Sequence, residues 1–432
     1  MKKQKTKKKI TDQAKLVKGL KLLVVLCIAI IVCELAFIGL KIYKRQQATV
    51  YVDTFAKVLK IKNGYLGVGS SDFKHSSYNT YSKYQKAKLM KYNNNHKLVF
   101  ESAYTKGYQS YFNDVIETKN NYIAVGAMQS SKDQVDDNST DGLIVVYDKN
   151  GKQVNSKKIQ IAGDTVLTKI VEVDDGYIVV GQSILENMVI GTDPNGGAII
   201  IKYDKDFKEI WKSNYGGSKS AIYNDIVVDD DAIYVVGKDA TRYGIFVKYD
   251  TNGNREFVKT YEYTDTIGFS AIQKIENDYI VVGGKTTNID AEDKDKKTEA
   301  VILKYNKEGK ILFEKTIAKN NQARFNNVIV DEDEIIAVGH TYKKDEKESS
   351  KTLNVFRYSG ILAKYDKDGK AIYVKEETGS RDTYFSDLII EDNMYLVVGQ
   401  TSSKELGGNN KDLKNYFLYY NKDGEKKKYF SW

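Results

Sequence analysis

A strand-like run closing on glycine occurs seven times in this chain: "YLGVG" (Gly69), "YIAVG" (Gly126), "YIVVG" (Gly181), "IYVVG" (Gly237), "YIVVG" (Gly283), "IIAVG" (Gly339) and "YLVVG" (Gly399). Fourteen residues before each glycine stands a large apolar residue: Phe55, Phe112, Leu167, Tyr223, Phe269, Phe325 and Phe385. An offset held through every copy marks one supersecondary unit repeated along the chain. No other feature of a sequence constrains its architecture as strongly.

Each copy continues in the same way. A tyrosine follows (Tyr92, Tyr147, Tyr203, Tyr249, Tyr305, Tyr365, Tyr420), and four residues on comes a turn position. That position is glycine in five copies (Gly151, Gly253, Gly309, Gly369, Gly424) and His96 or Phe207 in the other two. Glycine there supplies the positive φ of a tight hairpin. Eight residues past the tyrosine is an aromatic (Phe100, Trp211, Phe257, Phe313, Tyr373), with Asn155 and Lys428 as exceptions. The unit therefore reads as four short strands, with the second ending at the repeat glycine. Seven such units predict an all-β, seven-bladed β-propeller of four-stranded antiparallel blades over residues 54–432. The apolar middle strands suit sheets covered on both faces. Lysine-rich fourth strands such as "KILFEKTIA" suit an exposed outer edge, where lysine blocks pairing with another chain.

The charge sits elsewhere. The chain carries 67 Lys+Arg and 58 Asp+Glu, a net +9. Residues 1–45 hold 12 basic and 2 acidic residues, so the remainder has 67 − 12 = 55 basic against 58 − 2 = 56 acidic. A near-neutral body lacks the footprint of a nucleic-acid binder. "LLVVLCIAIIVCELAFIGL" (22–40) is long and apolar enough to cross a bilayer, and nine lysines precede it. This predicts a basic cytoplasmic tail (1–21), a transmembrane helix (22–40), a juxtamembrane linker (41–53) and an extracellular propeller on a bacterial plasma membrane. The run is long for a signal peptide and has no clear small-x-small cleavage site. Neither Cys27 nor Cys33 follows a small residue, which argues against lipoprotein processing. Both cysteines lie in this run, so packing and not disulfides must hold the propeller together.

The pattern "IVVG…KYDxxGxxxW" resembles the glycine-rich surface β-propeller repeats of bacteria and archaea, over about residues 50–432. That resemblance implies an exported propeller and no particular ligand. The repeat is also loosely similar to the quinone-cofactor propeller repeat, whose turn is D-x-x-T-G-K-x-x-W. Here Asp366-Lys367-Asp368-Gly369-Lys370 is one residue shorter and has no threonine, so no cofactor is expected.

Three histidines (His75, His96, His340) fall in different repeats without ligand spacing, and no nucleophile elbow or phosphate loop occurs. The "DKDG" turns lack the late carboxylate of a calcium loop and read as plain turns. No catalytic residue and no metal site is assigned. The second-to-third-strand loops vary most in length, and recognition favours variable loops on a rigid scaffold. Tyr78, Tyr81 and Tyr84 in one such loop, and Tyr342, Arg357 and Tyr358 in another (340–360), are the candidate binding residues. The chain is thus expected to be a non-enzymatic binding or scaffolding module for a protein or glycan partner outside the cell. The alternatives are an extracellular enzyme using carboxylates at the propeller axis, and a membrane-tethered assembly factor for exported proteins.

Overall fold

The computed structural model describes residues 50–74, 85–131, 139–161, 163–184, 196–216, 221–287, 297–317, 322–344, 356–408 and 413–431. The chain divides into two compact units, and the larger comprises Val52–Asp72 and Lys83–Trp432. Described residues of the smaller unit, 50–51 and 73–74, are strand ends. The fold below is that of the larger unit.

It is an all-β propeller. One sheet is β1 (Val50–Ile61), β2 (Gly64–Lys74), β3 (Lys86–Tyr92) and β4 (Leu98–Ala103). The next is β5 (Gln109–Glu117), β6 (Asn121–Gln129), β7 (Asp141–Asp148) and β8 (Gln153–Ile159), followed by β9 (Asp164–Val173), β10 (Gly176–Ile184), β11 (Gly197–Asp204) and β12 (Glu209–Gly216). An 11-stranded sheet holds β13 (Ile222–Asp229), β14 (Ala232–Lys238), β15 (Tyr243–Asp250), β16 (Arg255–Ile275), β17 (Asp278–Thr287), β18 (Lys297–Tyr305), β19 (Ile311–Ile317), β20 (Gln322–Asp331), β21 (Glu334–Lys344), β22 (Phe356–Asp366) and β23 (Ala371–Glu377). The last is β24 (Thr383–Glu391), β25 (Met394–Thr401), β26 (Lys414–Asn421) and β27 (Lys426–Ser431).

The expected count of seven separate blades is corrected: the described strands form five hydrogen-bonded sheets. Repeats 4 to 6 run together for two reasons. The 21-residue β16 passes from the outer strand of one repeat into the inner strand of the next without a break. Thr298 of β18 then bridges to Gln322 of β20 in parallel. The transmembrane helix expected at 22–40 is not carried forward. That segment lies outside the described residues, and among the described residues no helix is long and apolar enough to cross a membrane.

The fourteen-residue offset is a register. Phe112 faces Gly126, Leu167 faces Gly181, Tyr223 faces Gly237, Phe269 faces Gly283, Phe325 faces Gly339 and Phe385 faces Gly399 across the first and second strands. All seven anchors are buried. The glycines do not end strands, as the sequence suggested; β6, for example, runs on to Gln129. They are glycine because a β-bulge follows the anchor and brings the facing backbone too close for a side chain. A Cβ on Gly126 would stand 2.0 Å from the Tyr111 carbonyl oxygen, and one on Gly339 equally near that of Arg324.

The bulge also ties repeat to repeat. The bulged residue donates to the anchor carbonyl of the following repeat: Asn113 to Leu167 (2.8 Å), Thr168 to Tyr223 (2.6 Å), Asn224 to Phe269 (2.7 Å), Ser270 to Phe325 (2.8 Å) and Asn326 to Phe385 (2.6 Å). The first strands thus line the axis. The outer strands β4, β8, β12, β19 and β23 carry almost only exposed or half-buried side chains, which fits an outer edge.

In the outer hairpins, the residue after the repeat tyrosine accepts two backbone N–H bonds. Asp148 Oδ1 accepts from Asn150 and Lys152, both at 2.9 Å, and Asp204, Asp250, Asn306 and Asp366 do the same. These oxygens close the turn. The expected left-handed position is present in all seven copies, at φ 58 for His96 and 62 for Phe207 as well as at the five glycines.

Candidate functional site

Because each anchor faces a glycine, the residue before the anchor faces the residue after the glycine. Those pairs form a rim one step above the anchor layer: Tyr111 with Ala127, Val166 with Gln182, Ile222 with Lys238, Arg324 with His340, and Tyr384 with Gln400. Six of the seven anchors are Phe or Leu and the seventh is Tyr223, but this rim is polar and aromatic on repeats 2, 6 and 7.

Its densest part is an aromatic cluster from two adjoining sheets. The His340 ring lies 6.0 Å from Tyr342, 5.5 Å from Tyr358 and 6.3 Å from Tyr384. Tyr342 and Tyr358 are directly opposed in β21 and β22 and stack at 5.4 Å, while Tyr384 meets Tyr358 edge-on at 5.9 Å. Every one of these rings is half-buried. Tyr384 donates to Gln400 Oε1 (3.0 Å), and Asp382 accepts the Tyr358 N–H (3.2 Å) and pairs with Arg357 (4.0 Å). Of the residues singled out in the sequence, Tyr342, Arg357 and Tyr358 are therefore brought together. They lie on paired strands, since β21 extends to Lys344 and β22 begins at Phe356. Tyr78, Tyr81 and Tyr84 lie outside the described residues.

Beside the aromatics is a charged cluster that the sequence did not flag. Arg324, 4% exposed, donates from Nη1 to Asp265 (2.8 Å) and from Nη2 to Ser270. Asp265 also accepts the Gly268 N–H (3.0 Å). Asn326 Nδ2 donates to His340 Nδ1 (3.1 Å), which leaves the ring proton on Nε2. Burial and the nearby Arg324 charge lower the His340 pKa to about 3, so the imidazole is neutral. Burial raises Tyr342 and Tyr358, which keeps both phenols protonated. One regular feature would have exposed most of this cluster: Arg324, Asn326, Ser270 and His340 each adjoin a repeat marker, while Asp265 does not.

On the same level, between repeats 2 and 3, lies a cleft of about 300 Å³ lined by Gln109, Tyr111, Gln129, Thr140, Asp164 and Gln182, among others. Asp164 there accepts the Thr140 N–H (2.7 Å), and its charge with burial raises the Tyr111 phenol.

The axial carboxylates lie two residues past the anchors and are already engaged. Asp114 accepts the Ile170 N–H (3.1 Å), Asp225 that of Ile272 (2.9 Å) and Asp387 that of Val58 (3.1 Å). Lysines stand between them. Lys169 lies 3.9 Å from Asp114 and 3.4 Å from Asp225, and Lys57 is 3.0 Å from Asp387. Burial raises Asp114 against the pull of Lys169. This layer clamps adjoining inner strands to one another. Among the described residues, no group of three or more His, Cys, Asp or Glu could hold a metal ion.

No protein-family model matches the chain, and no curated protein matches it. Solved structures do resemble it. Sqt1 from Chaetomium thermophilum, bound to the N-terminus of ribosomal protein L10, is 10% identical at a TM-score of 0.48, covering 88% of this chain and 90% of that one. A member of the DUF4221 family from Bacteroides vulgatus is 9% identical at a TM-score of 0.38, covering 87% and 95%. A GH43_1 enzyme from Xanthomonas citri is 9% identical at a TM-score of 0.36, covering 63% and 93%. The resemblance to the surface propeller repeats stands at the level of the fold, on the four-stranded sheets described above.

Proposed function

We propose that this chain is a binding or scaffolding module for a protein or glycan partner, and that the aromatic rim of repeats 6 and 7 is its recognition surface. The observation that carries this reading is the cluster of His340, Tyr342, Tyr358 and Tyr384. Four rings with polar tips lie half-buried at the end of the inner strands, where the anchors one step below are wholly apolar. Rigid aromatic rings contribute contact area at small entropic cost. Arg357, next to Tyr358 on β22 and paired with Asp382, belongs to the same proposed face. A location outside the cell is part of the proposal and rests on the charge asymmetry of residues 1–45. The axial carboxylates favour a structural use, because each accepts a neighbouring backbone amide through one oxygen and has a lysine beside it.

The test is affinity capture with the full chain against a Tyr342→Ser, Tyr358→Ser variant. The variant should lose the partner while melting within a few degrees of wild type, since half-buried substitutions away from the core cost about 1 kcal/mol or less. Undiminished capture by a folded variant would move recognition to another face.

A further inference from the structure

We propose that the rim between repeats 4 and 6 seats the carboxylate of an acidic sugar, with Lys238, Arg324 and His340 as its donors. This deepens the reading above and rests on it.

The register brings Arg324 to His340, and the Asp265–Gly268 turn brings Lys238 toward them. Arg324 directly faces His340 across β20 and β21. Lys238 occupies the corresponding position two repeats earlier, with its Cβ packed against Gly268 in the repeat between them. Asp265 links the two cations. It bonds Arg324 at 2.8 Å, and its charge acts on Lys238 as well. Gly268 and Gly284 leave room for this, since a Cβ on Gly284 would stand 2.5 Å from an Asp265 oxygen.

What remains unused here is all of one kind. Among the described residues the half-buried Lys238 ammonium makes no hydrogen bond or ion pair. Arg324 Nε is buried without an acceptor. His340 Nε2–H has none either, its Nδ1 being taken by Asn326. Each is a donor, so the missing group is an acceptor. The buried, unpaired Arg324 Nε–H carries a desolvation cost that an incoming acceptor would remove. The charge balance selects the kind of acceptor. Lys238, Arg242 and Arg324 against Asp239 and Asp265 leave one positive charge, and His340 is neutral. A single negative charge fits that balance better than a phosphate dianion. The rings of Tyr342, Tyr358 and Tyr384, all within 6.3 Å of His340, then offer stacking surface for the rest of the ligand. A sugar ring uses such a surface; an acidic peptide side chain does not.

The test is titration of the full-length chain with D-glucuronate, D-glucose, N-acetylaspartate and inorganic phosphate, read by ligand-observed NMR. Glucuronate should bind at least ~10-fold more tightly than the other three. Lys238→Gln should weaken glucuronate by ~10-fold, leave glucose unchanged and melt like wild type. The proposal is overturned if glucuronate fails to saturate, if N-acetylaspartate or phosphate binds as tightly, or if Lys238→Gln has no effect. If glucose and glucuronate bind alike and Tyr342→Ser, Tyr358→Ser abolishes both, the rim remains a recognition surface and the carboxylate assignment alone falls.

Discussion

The junction between repeats 3 and 4 and the junction between repeats 2 and 3 fill the same gap from opposite sides. At the first, Trp211 of the earlier outer strand lies over Gly253 in the next turn, where a Cβ would stand 2.5 Å from the indole. Phe100 with Gly151, Phe257 with Gly309, Phe313 with Gly369 and Tyr373 with Gly424 repeat this arrangement. At the second junction the outer strand offers Asn155, and the ring comes from the turn itself. Phe207 takes the left-handed position at φ 62, stacks on Tyr177 at 5.0 Å, and joins the apolar cluster that spans both repeats. Lys157 of the outer strand reaches the Phe207 carbonyl oxygen at 2.6 Å. The two exceptions in the repeat are one exchange: where the outer strand lacks an aromatic, the next turn supplies it.

The junction between the last repeat and the first follows the second pattern. Lys428 replaces the aromatic, and His96 occupies the turn, stacked on Tyr65 at 5.0 Å. A carboxylate adds to it. Glu391 accepts from Tyr65, Lys60 and Tyr419, as Asp229 accepts from Tyr279 and Lys274, and Asp331 from Tyr395 and Lys422. The first and last repeats therefore meet through the contacts that internal repeats use.

The largest effect should come from removing the turn ring. Phe207→Ala loses a ring that is 8% exposed and should cost roughly 3 kcal/mol in denaturant unfolding. Phe207→Gly should cost about 1 kcal/mol less than Phe207→Ala, because glycine accepts the positive φ without strain. That ordering reverses the usual one within a strand or helix. If alanine proves the milder substitution, the turn conformation is not what limits this junction.

The exchange itself is tested by transplanting one junction's solution into the other. Asn155→Phe with Phe207→Gly should recover at least ~1 kcal/mol of the loss from Phe207→Gly alone, measured as a double-mutant coupling. Strict additivity would mean that the two rings occupy different spaces. Trp211→Ala should cost less than Phe207→Ala, about 2 kcal/mol, since the indole is only half-buried, with its N–H on the Thr251 carbonyl oxygen at 3.2 Å.

The sequence carried the anchors, the outer hairpins and both exceptions plainly, because each depends on local chemistry: a bulge, an oxygen closing a turn, a left-handed φ. The sheet count was less visible. Nothing in "YEYTDTIGFS" announces that β16 continues through two repeats, and the Thr298–Gln322 bridge joins residues no local pattern relates. The rim was half legible. Tyr342, Arg357 and Tyr358 stood out as aromatic or basic residues of a long loop, although they lie on the strands that the loop joins. Arg324, Asp265 and Lys238 did not, because charged residues are common in this chain and only the register and the Asp265–Gly268 turn converge these three. Single residues one step from a repeat marker would have been the place to look.

His340 has a folded pKa of about 3, below the ordinary histidine value, so the unfolded chain takes up a proton first as pH falls. Its contribution is therefore complete above about 6.5 and is lost between there and about 3. His340→Gln should flatten that part of the stability-versus-pH curve, and an unchanged slope would mean that the imidazole is already solvated in the fold.

The smallest effect belongs to Glu391. Burial raises its pKa, but the bonds from Lys60, Tyr65 and Tyr419 outweigh burial and hold it below the ordinary carboxylate value. A carboxylate with a depressed folded pKa stabilises the fold above its unfolded value and ceases to do so as pH falls through the folded value. Glu391→Gln keeps an acceptor for the phenols and removes the charge, so it should cost about 1 kcal/mol at neutral pH and nothing in acid. Asp331→Asn, at the same position between repeats 6 and 7, provides the comparison. Its Tyr395 and Lys422 bonds match those at Glu391, so the two variants should lose similar stability if the closing junction is built like an internal one. A much larger loss for Glu391→Gln, with early release of the first repeat to protease, would show that the closing junction depends on this charge where internal junctions do not.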